Sequence, residues 1–283
     1  MSSDDHGVDE ARSVLSGLGL LSPAAAAAAT ITRLGGLTNR VFRIEHGSDR
    51  YALRIPGKGT EEYINRKHEE HAARATAAAR ISPEVLHFDA ASGVMVTRFV
   101  DGAVTMTPEQ FRSLPGAPGR AGVVLRRLHD SGAVFLSRFE LFAVIDGYLK
   151  VLESKQASLP PGYQELAPEV AAVRAALAAN ALPLAACHCD PLCENFLDTG
   201  ERMWLIDWEY SGMNDPLWDL GDLSVEGSFD ARQDEEMISG YFGGEPRQAE
   251  RGRIVLYKAM CDLLWALWGL IQHANNNPVD DFW

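Results

Sequence analysis

At 283 residues and 30.9 kDa, the chain is long enough for one large domain or for two lobes with a site between them. A hydrophobic fraction of 46% and a charged fraction of 23% exclude wholesale disorder. With 26 Lys+Arg against 39 Asp+Glu, the formal charge of −13 argues against nucleic acid or an anionic membrane as partner. It suits a cationic small molecule.

Residues 1–30 read as a helical N-terminal extension. Its uncharged stretch, 13–32, is broken by Gly17, Gly19 and Pro23 and follows Asp4, Asp5, Asp9 and Glu10. That pattern fits neither a membrane span nor a secretory signal. Short strands are expected at 31–34, 40–46 and 51–55, with turns at Gly35-Gly36 and Gly47-Ser48. A run of helix formers over 61–80 ends before Pro83, and strands at 84–88 and 94–100 follow. Residues 1–100 thus form a small antiparallel-sheet lobe with one main helix.

Residues 101–283 read as a larger, mainly helical lobe, with helices at 122–129, 139–153, 168–179, 235–242 and 247–273. Segments 115–118 and 158–162 are loops by composition. An exception is a hairpin, 195–197 and 203–206, turning at Asp198-Thr199-Gly200. The expected class is therefore α+β, and clefts between such lobes are common small-molecule sites. Cys187, Cys189, Cys193 and Cys261 are too few and too clustered for a disulfide framework and point to small buried residues. A reduced, cytoplasmic protein without membrane insertion is expected.

His188-Cys189-Asp190-Pro191-Leu192-Cys193-Glu194-Asn195 has the form H-x-D-x-x-x-x-N, and Ile206-Asp207-Trp208-Glu209 lies just beyond the hairpin. Phosphoryl transfer needs a carboxylate to position the acceptor hydroxyl and oxygen ligands to hold Mg²⁺ against a triphosphate. Asp190 suits the first role. Asn195 and Asp207 suit the second, because a hairpin can bring positions near them side by side.

These residues give the chain a resemblance to the aminoglycoside phosphotransferase and choline kinase superfamily, relatives of the protein kinases, from about Leu34 to the C-terminus. Gly35-Gly36-Leu37-Thr38-Asn39-Arg40-Val41-Phe42 looks like the nucleotide-covering loop of the choline kinase branch. The resemblance implies a two-lobed protein-kinase-like fold that binds ATP and Mg²⁺, with Gly36, Leu37, Thr38 and Asn39 over the nucleotide. Arg54 stands where protein kinases have their phosphate-binding lysine. Ile64-Asn65-Arg66-Lys67-His68-Glu69 resembles the helix that supplies its acidic partner. This nominates Glu69, with Glu70 as rival, since one residue turns a side chain by about 100° around a helix. The resemblance makes Asp219, in Asn214-Asp215-Pro216-Leu217-Trp218-Asp219, a structural brace for the catalytic loop.

Substrate identity rests on two further stretches. Asp207-Trp208-Glu209-Tyr210 resembles the I-D-F-E-Y of choline and ethanolamine kinases, and Leu264-Trp265-Ala266-Leu267-Trp268-Gly269-Leu270-Ile271-Gln272 resembles their tryptophan helix. A quaternary ammonium has no N–H and is held by aromatic faces, at roughly 0.5–2 kcal/mol each. Tyr210, Trp265 and Trp268 are the expected walls and Glu209 the expected charge. Phe282 and Trp283 are candidates to close the pocket. The expected activity is ATP-dependent phosphorylation of choline or a related amino alcohol. Alternatives are an aminoglycoside, amino-sugar or thiamine phosphotransferase, or an inactive kinase-like binding protein. Asp190–Glu245 holds 15 acidic and 2 basic residues, so the entire formal charge of −13 falls on the segment carrying these motifs.

Overall fold

Phe42 and Ile44 are buried between half-buried Val41, Arg43 and Glu45, and Tyr51 and Leu53 are buried on either side of half-buried Ala52, so each of these two strands turns one face inward. In the computed structural model, which describes residues 3–35, 39–57 and 64–275, both belong to a five-stranded antiparallel sheet. Its strands are β1 (Thr30–Gly35), β2 (Arg40–His46), β3 (Asp49–Ile55), β4 (Val85–Asp89) and β5 (Val94–Arg98), in the spatial order β1-β2-β3-β5-β4. Strand β3, which carries Arg54, is central.

The N-terminal extension contributes to this core. It forms α1 (Ser3–Gly17) and α2 (Pro23–Ala28), whose Ala11, Leu15 and Ala26 share one buried cluster with Phe42, Ile44, Leu53 and Val96. Arg12 ties the two helices together by donating to the carbonyls of Ala26, Ala27 and Ala29. The main helix, α3 (Arg66–Ala78), starts later than the expected 61. Asn65 is its cap, with the side-chain oxygen accepting from Lys67 N at 3.2 Å and His68 N at 3.3 Å. Residues 61–63 lie outside the described residues.

The chain groups into two compact units, Met1–Val104 with Leu197–Tyr210, and Thr105–Phe196 with Ser211–Trp283. The linear boundary expected after residue 100 is thus accompanied by a return of the chain to the first unit. The hairpin strands β8 (Phe196–Asp198) and β9 (Met203–Leu205) form a small sheet with β6 (Val104–Thr105), in the order β6-β8-β9. Asn195 closes a single 3₁₀ turn, Cys193–Asn195, ahead of β8. Within the first unit, Leu205 N donates to Ile81 O at 3.0 Å, and Trp208 Nε1 donates to Ser82 Oγ at 2.8 Å. These bonds anchor the return segment.

The second unit holds α4 (Pro108–Ser113), α5 (Ala117–His129), α6 (Leu141–Ser154), α7 (Tyr163–Ala179), α8 (Leu217–Glu226), α9 (Ala231–Phe242) and α10 (Gln248–Ala274). It also holds the antiparallel pair β7 (Ala185–Cys187) and β10 (Gly212–Asn214). Helices α5, α7 and α9 begin earlier than their composition suggests. For α9 the reason is a capping box between Asp230 and Gln233. The sequence pattern does not announce α8. Eight of its ten residues are buried, so it has no polar face to give a 3.6-residue period. Helix α10 is long and apolar enough, by length and composition, to cross a membrane. Its Ile254, Tyr257, Cys261, Leu264 and Leu267 recur every three or four residues and are buried, and the helix packs on α8 and α6, which is the pattern of a core helix.

Candidate active site

The first unit gathers five polar side chains that are ordinarily exposed. Arg54 on β3 and Glu69 on α3 are 5% and 1% exposed and form an ion pair. Arg54 Nη2 also donates to Gly93 O at 3.1 Å. Arg66, one turn before Glu69, bonds its second carboxylate oxygen at 2.7 Å and reaches Glu209 Oε2 at 3.3 Å. Asn39 donates to the same Glu209 oxygen at 3.3 Å. Gly93 makes the crowding possible. It lies at φ +72°, and a Cβ there would sit 2.7 Å from Pro56 and 2.8 Å from Arg66 Nε. Glu70 points elsewhere and pairs with Arg74 at 2.9 Å.

Charge in this cluster is finely opposed. Burial alone would pull the Arg54 guanidinium pKa down, but Glu69, Asp207 and Glu209 outweigh it and raise it. The Glu209 carboxyl is pushed up, first by burial and then by Asp207, against the pull of Asn39 and Arg54. Glu69, Asp207 and Glu209 each offer an oxygen, all within 4.8 Å of one another. Asp207 Oδ1 is buried and accepts no hydrogen bond among the described residues, with Arg54 Nη1 3.5 Å away. Hard divalent cations take carboxylate oxygens with lone pairs to spare, so this set fits Mg²⁺. Asp207 is held at φ 65°, a left-handed conformation that Asp tolerates better than most residues.

In the second unit, β7 delivers the chain to the His188–Asn195 loop. Asp219, in the first turn of α8 and fully buried, accepts from His188 N at 2.8 Å and Cys189 N at 2.9 Å. His129 Nε2 lies 3.0 Å from the same carboxylate. Cys189 is left-handed at φ 67°, and Trp218 Nε1 donates to its carbonyl at 3.2 Å. The backbone entering Asp190 is therefore fixed on both sides of the peptide. Asn195 Nδ2 donates to Asp190 O at 3.1 Å, which commits the amide nitrogen and leaves the amide oxygen as the atom for a cation. The pKa values of the Tyr148 phenol and the Asp222 carboxyl are raised, first by burial and then by the charge of Asp190.

Trp265 and Trp268 are half-buried and meet edge to face, with ring centroids 5.6 Å apart and planes at 89°. Trp265 Nε1 is buried without a hydrogen-bond partner among the described residues. One helical turn before Trp265, Cys261 Sγ donates to Asp222 Oδ1 at 3.0 Å, and Glu226 offers an oxygen within 4.8 Å of both. Cys261 and Trp265, four residues apart, share one flank of α10.

The description "Phosphotransferase enzyme family" matches residues 30–251. A choline/ethanolamine kinase family protein from Mesorhizobium loti is 64% identical with a TM-score of 0.88, covering 97% of this chain and 89% of its own. The chain belongs to this phosphotransferase family, in its choline/ethanolamine kinase branch. Choline kinase LicA from Streptococcus pneumoniae is similar at 26% identity and a TM-score of 0.75, over 98% of this chain and 94% of that one. LicA has also been solved in complex with AMP. Ethanolamine kinase 2 of Mus musculus is 25% identical over 87% of this chain and 70% of its own length. The protein-kinase-like α+β class expected from the sequence is the class found.

Among the expected site residues of this phosphotransferase, the structure brings together Arg54, Glu69, Asp207, Glu209 and Asn39 in one unit. It brings Asp190 to Asn195, and Trp265 to Trp268, in the other. Glu209, expected beside the ammonium, is enclosed by Arg66 and Asn39 in the first unit. Tyr210 is 47% exposed. Gly36, Leu37, Thr38, Phe282 and Trp283 lie outside the described residues. Arg66, Gly93, Asp222, Glu226, His129 and Tyr241 were not singled out by sequence. For Asp222 and Glu226 a signal existed, since both fall in the acid-rich stretch 190–245.

Proposed function

We propose that this phosphotransferase moves the γ-phosphate of ATP to the hydroxyl of choline or a closely related amino alcohol. The observation that carries the substrate class is the half-buried, edge-to-face Trp265–Trp268 pair. Two aromatic faces attract a methylated ammonium without needing N–H donors. Tyr210, exposed and next in sequence to Glu209, is a further aromatic face for the acceptor. An aminoglycoside, with its many N–H donors, would call for hydrogen-bonding carboxylates in place of tryptophan faces.

Asp190 orients the acceptor hydroxyl and takes up its proton. Its backbone is rigid, so the geometry of approach is set before substrate arrives. Arg54, held by Glu69, meets the nucleotide phosphates. Asp207 and Asn195 are the proposed Mg²⁺ ligands, with Glu209 beside Asp207. The ion, when bound, offsets the charge of the phosphates. The four cysteines, all free and buried, suit a reducing cytoplasm.

A kinase assay across choline, its mono- and dimethylated relatives, ethanolamine, thiamine and an aminoglycoside tests the reading. Transfer to the choline–ethanolamine series, dependent on ATP and Mg²⁺, is the expected result. Transfer confined to the aminoglycoside or thiamine would overturn the substrate class, and no transfer to any acceptor would overturn the activity.

A further inference from the structure

Helices α5 and α9 approach until their backbones touch. A Cβ on Gly122 would sit 2.1 Å from Met237 O, and one on Gly240 would sit 2.2 Å from Gly119 O. This contact sets the reach between His129, the last residue of α5, and Tyr241 near the end of α9. The Tyr241 hydroxyl lies 2.8 Å from His129 Nδ1, with the rings edge to face at 5.5 Å. His129 Nε2 lies 3.0 Å from Asp219, which in turn accepts the N–H groups of His188 and Cys189.

With a neutral imidazole the protons in this chain have one consistent arrangement. The Asp219 carboxylate only accepts, so His129 Nε2 carries the hydrogen and donates it. His129 Nδ1 then has a lone pair and needs a donor, which the Tyr241 O–H supplies. Burial raises the pKa of that phenol and keeps it protonated. The opposite neutral tautomer would place two lone pairs face to face at Asp219.

We propose that Tyr241 is a positioning residue for phosphoryl transfer, fixing His129 as the Nε2–H tautomer so that Asp219 holds the His188–Cys189 backbone that aims Asp190. The inference rests on Asp190 acting at the acceptor hydroxyl. It differs from a packing role because it acts through one proton on one nitrogen, and Tyr241→Phe removes only the oxygen.

The test is a double-mutant cycle read by steady-state kinetics, with ¹⁵N-histidine NMR of the wild-type protein alongside. Y241F should lower kcat by about tenfold, a loss corresponding to one buried hydrogen bond, with KM for ATP and for the acceptor within about twofold. His129→Ala removes both the N–H for Asp219 and the acceptor for Tyr241. In that background Y241F should cause no further loss. The NMR spectrum should show His129 with a protonated Nε2 and a bare Nδ1. Wild-type kcat in Y241F, an equal fractional loss in both backgrounds, or a protonated Nδ1 would each overturn the proposal. If Y241F does not fold, the wild-type tautomer still decides the Tyr241–His129 link. A wild-type protein inactive on every acceptor would instead count against the functional reading, and the NMR result would be read separately.

Discussion

Replacing Glu69 by Gln keeps the side-chain shape and removes one charge from the most enclosed ion pair of the first unit. In the native protein its two oxygens take Arg54 Nη1 and, at 2.7 Å, Arg66 Nη1. A hydrogen bond to a charged group contributes about 1.5–3 kcal/mol and a neutral one about 0.5–1.5, so weakening the contact that keeps the amide oxygen by about 1–1.5 and losing the one that meets the NH2 costs about 2.5–4.5 kcal/mol. That lies a little below the roughly 3–5 kcal/mol expected for stripping a buried charge of its partner. The difference is reasonable here, because Arg54 keeps Asp207 at 3.5 Å and Gly93 O at 3.1 Å, and Arg66 keeps Glu209 at 3.3 Å. Glu70→Gln is the control. Glu70 meets an exposed Arg74 at 2.9 Å on the helix surface, a pair worth about 0.3–0.5 kcal/mol. Urea unfolding of both variants measures the costs, and ATP titration of turnover should show a raised KM for E69Q alone, since Arg54 is then drawn toward Asp207. A loss in E69Q below about 0.5 kcal/mol, or an equal loss in E70Q, would refute the reasoning.

Four further outcomes are expected. Asp190→Asn should lower turnover by roughly 10²–10⁴ with urea stability and ATP binding intact, and near-normal turnover would remove Asp190 from the chemistry. Trp265→Ala should raise the KM for choline by roughly 2- to 30-fold, the range one cation–π contact supplies, and an unchanged KM would count against the aromatic pocket. The thiols should be inert in the native state: burial pushes Cys187, Cys189 and Cys261 up, and Cys193 up to about 12. Because the thiolate is the nucleophile, a thiol reagent at pH 8 should label the folded protein hardly at all and the unfolded chain at all four cysteines. Rapid labelling of a native thiol would contradict this. Gly240→Ala, which in an open helix would add up to about 1 kcal/mol of stability, should instead lose about 1–3, because its Cβ meets Gly119 O at 2.2 Å. A raised melting temperature would show that α5 and α9 can part without cost.

What the sequence determines by itself is what is local or motif-borne. Short runs punctuated by the Gly35-Gly36 and Gly47-Ser48 turns mark β2 and β3, and the H-x-D-x-x-x-x-N spacing places Asp190 and Asn195 on one loop, where Asn195 Nδ2 donates to Asp190 O. The resemblance of the glycine loop and tryptophan helix to choline kinases carries the family. Tertiary structure decides what depends on how an element is rotated or on what approaches from elsewhere in the chain. Glu69 and Glu70 differ by about 100° around α3, and only the docking of that helix against the sheet turns one inward to Arg54 and leaves the other to pair with Arg74. Helix α8 escapes a periodicity search because it is buried on nearly every side. The enclosure of Glu209 by Asn39 and Arg66 joins residues 170 and 143 positions apart. The contact of Tyr241 with His129 spans 112 and exists because glycines let two helices touch. Spacing along a chain encodes which side chains share a face. It does not encode which distant face will be pressed against them, and that is set when the apolar surfaces are buried together.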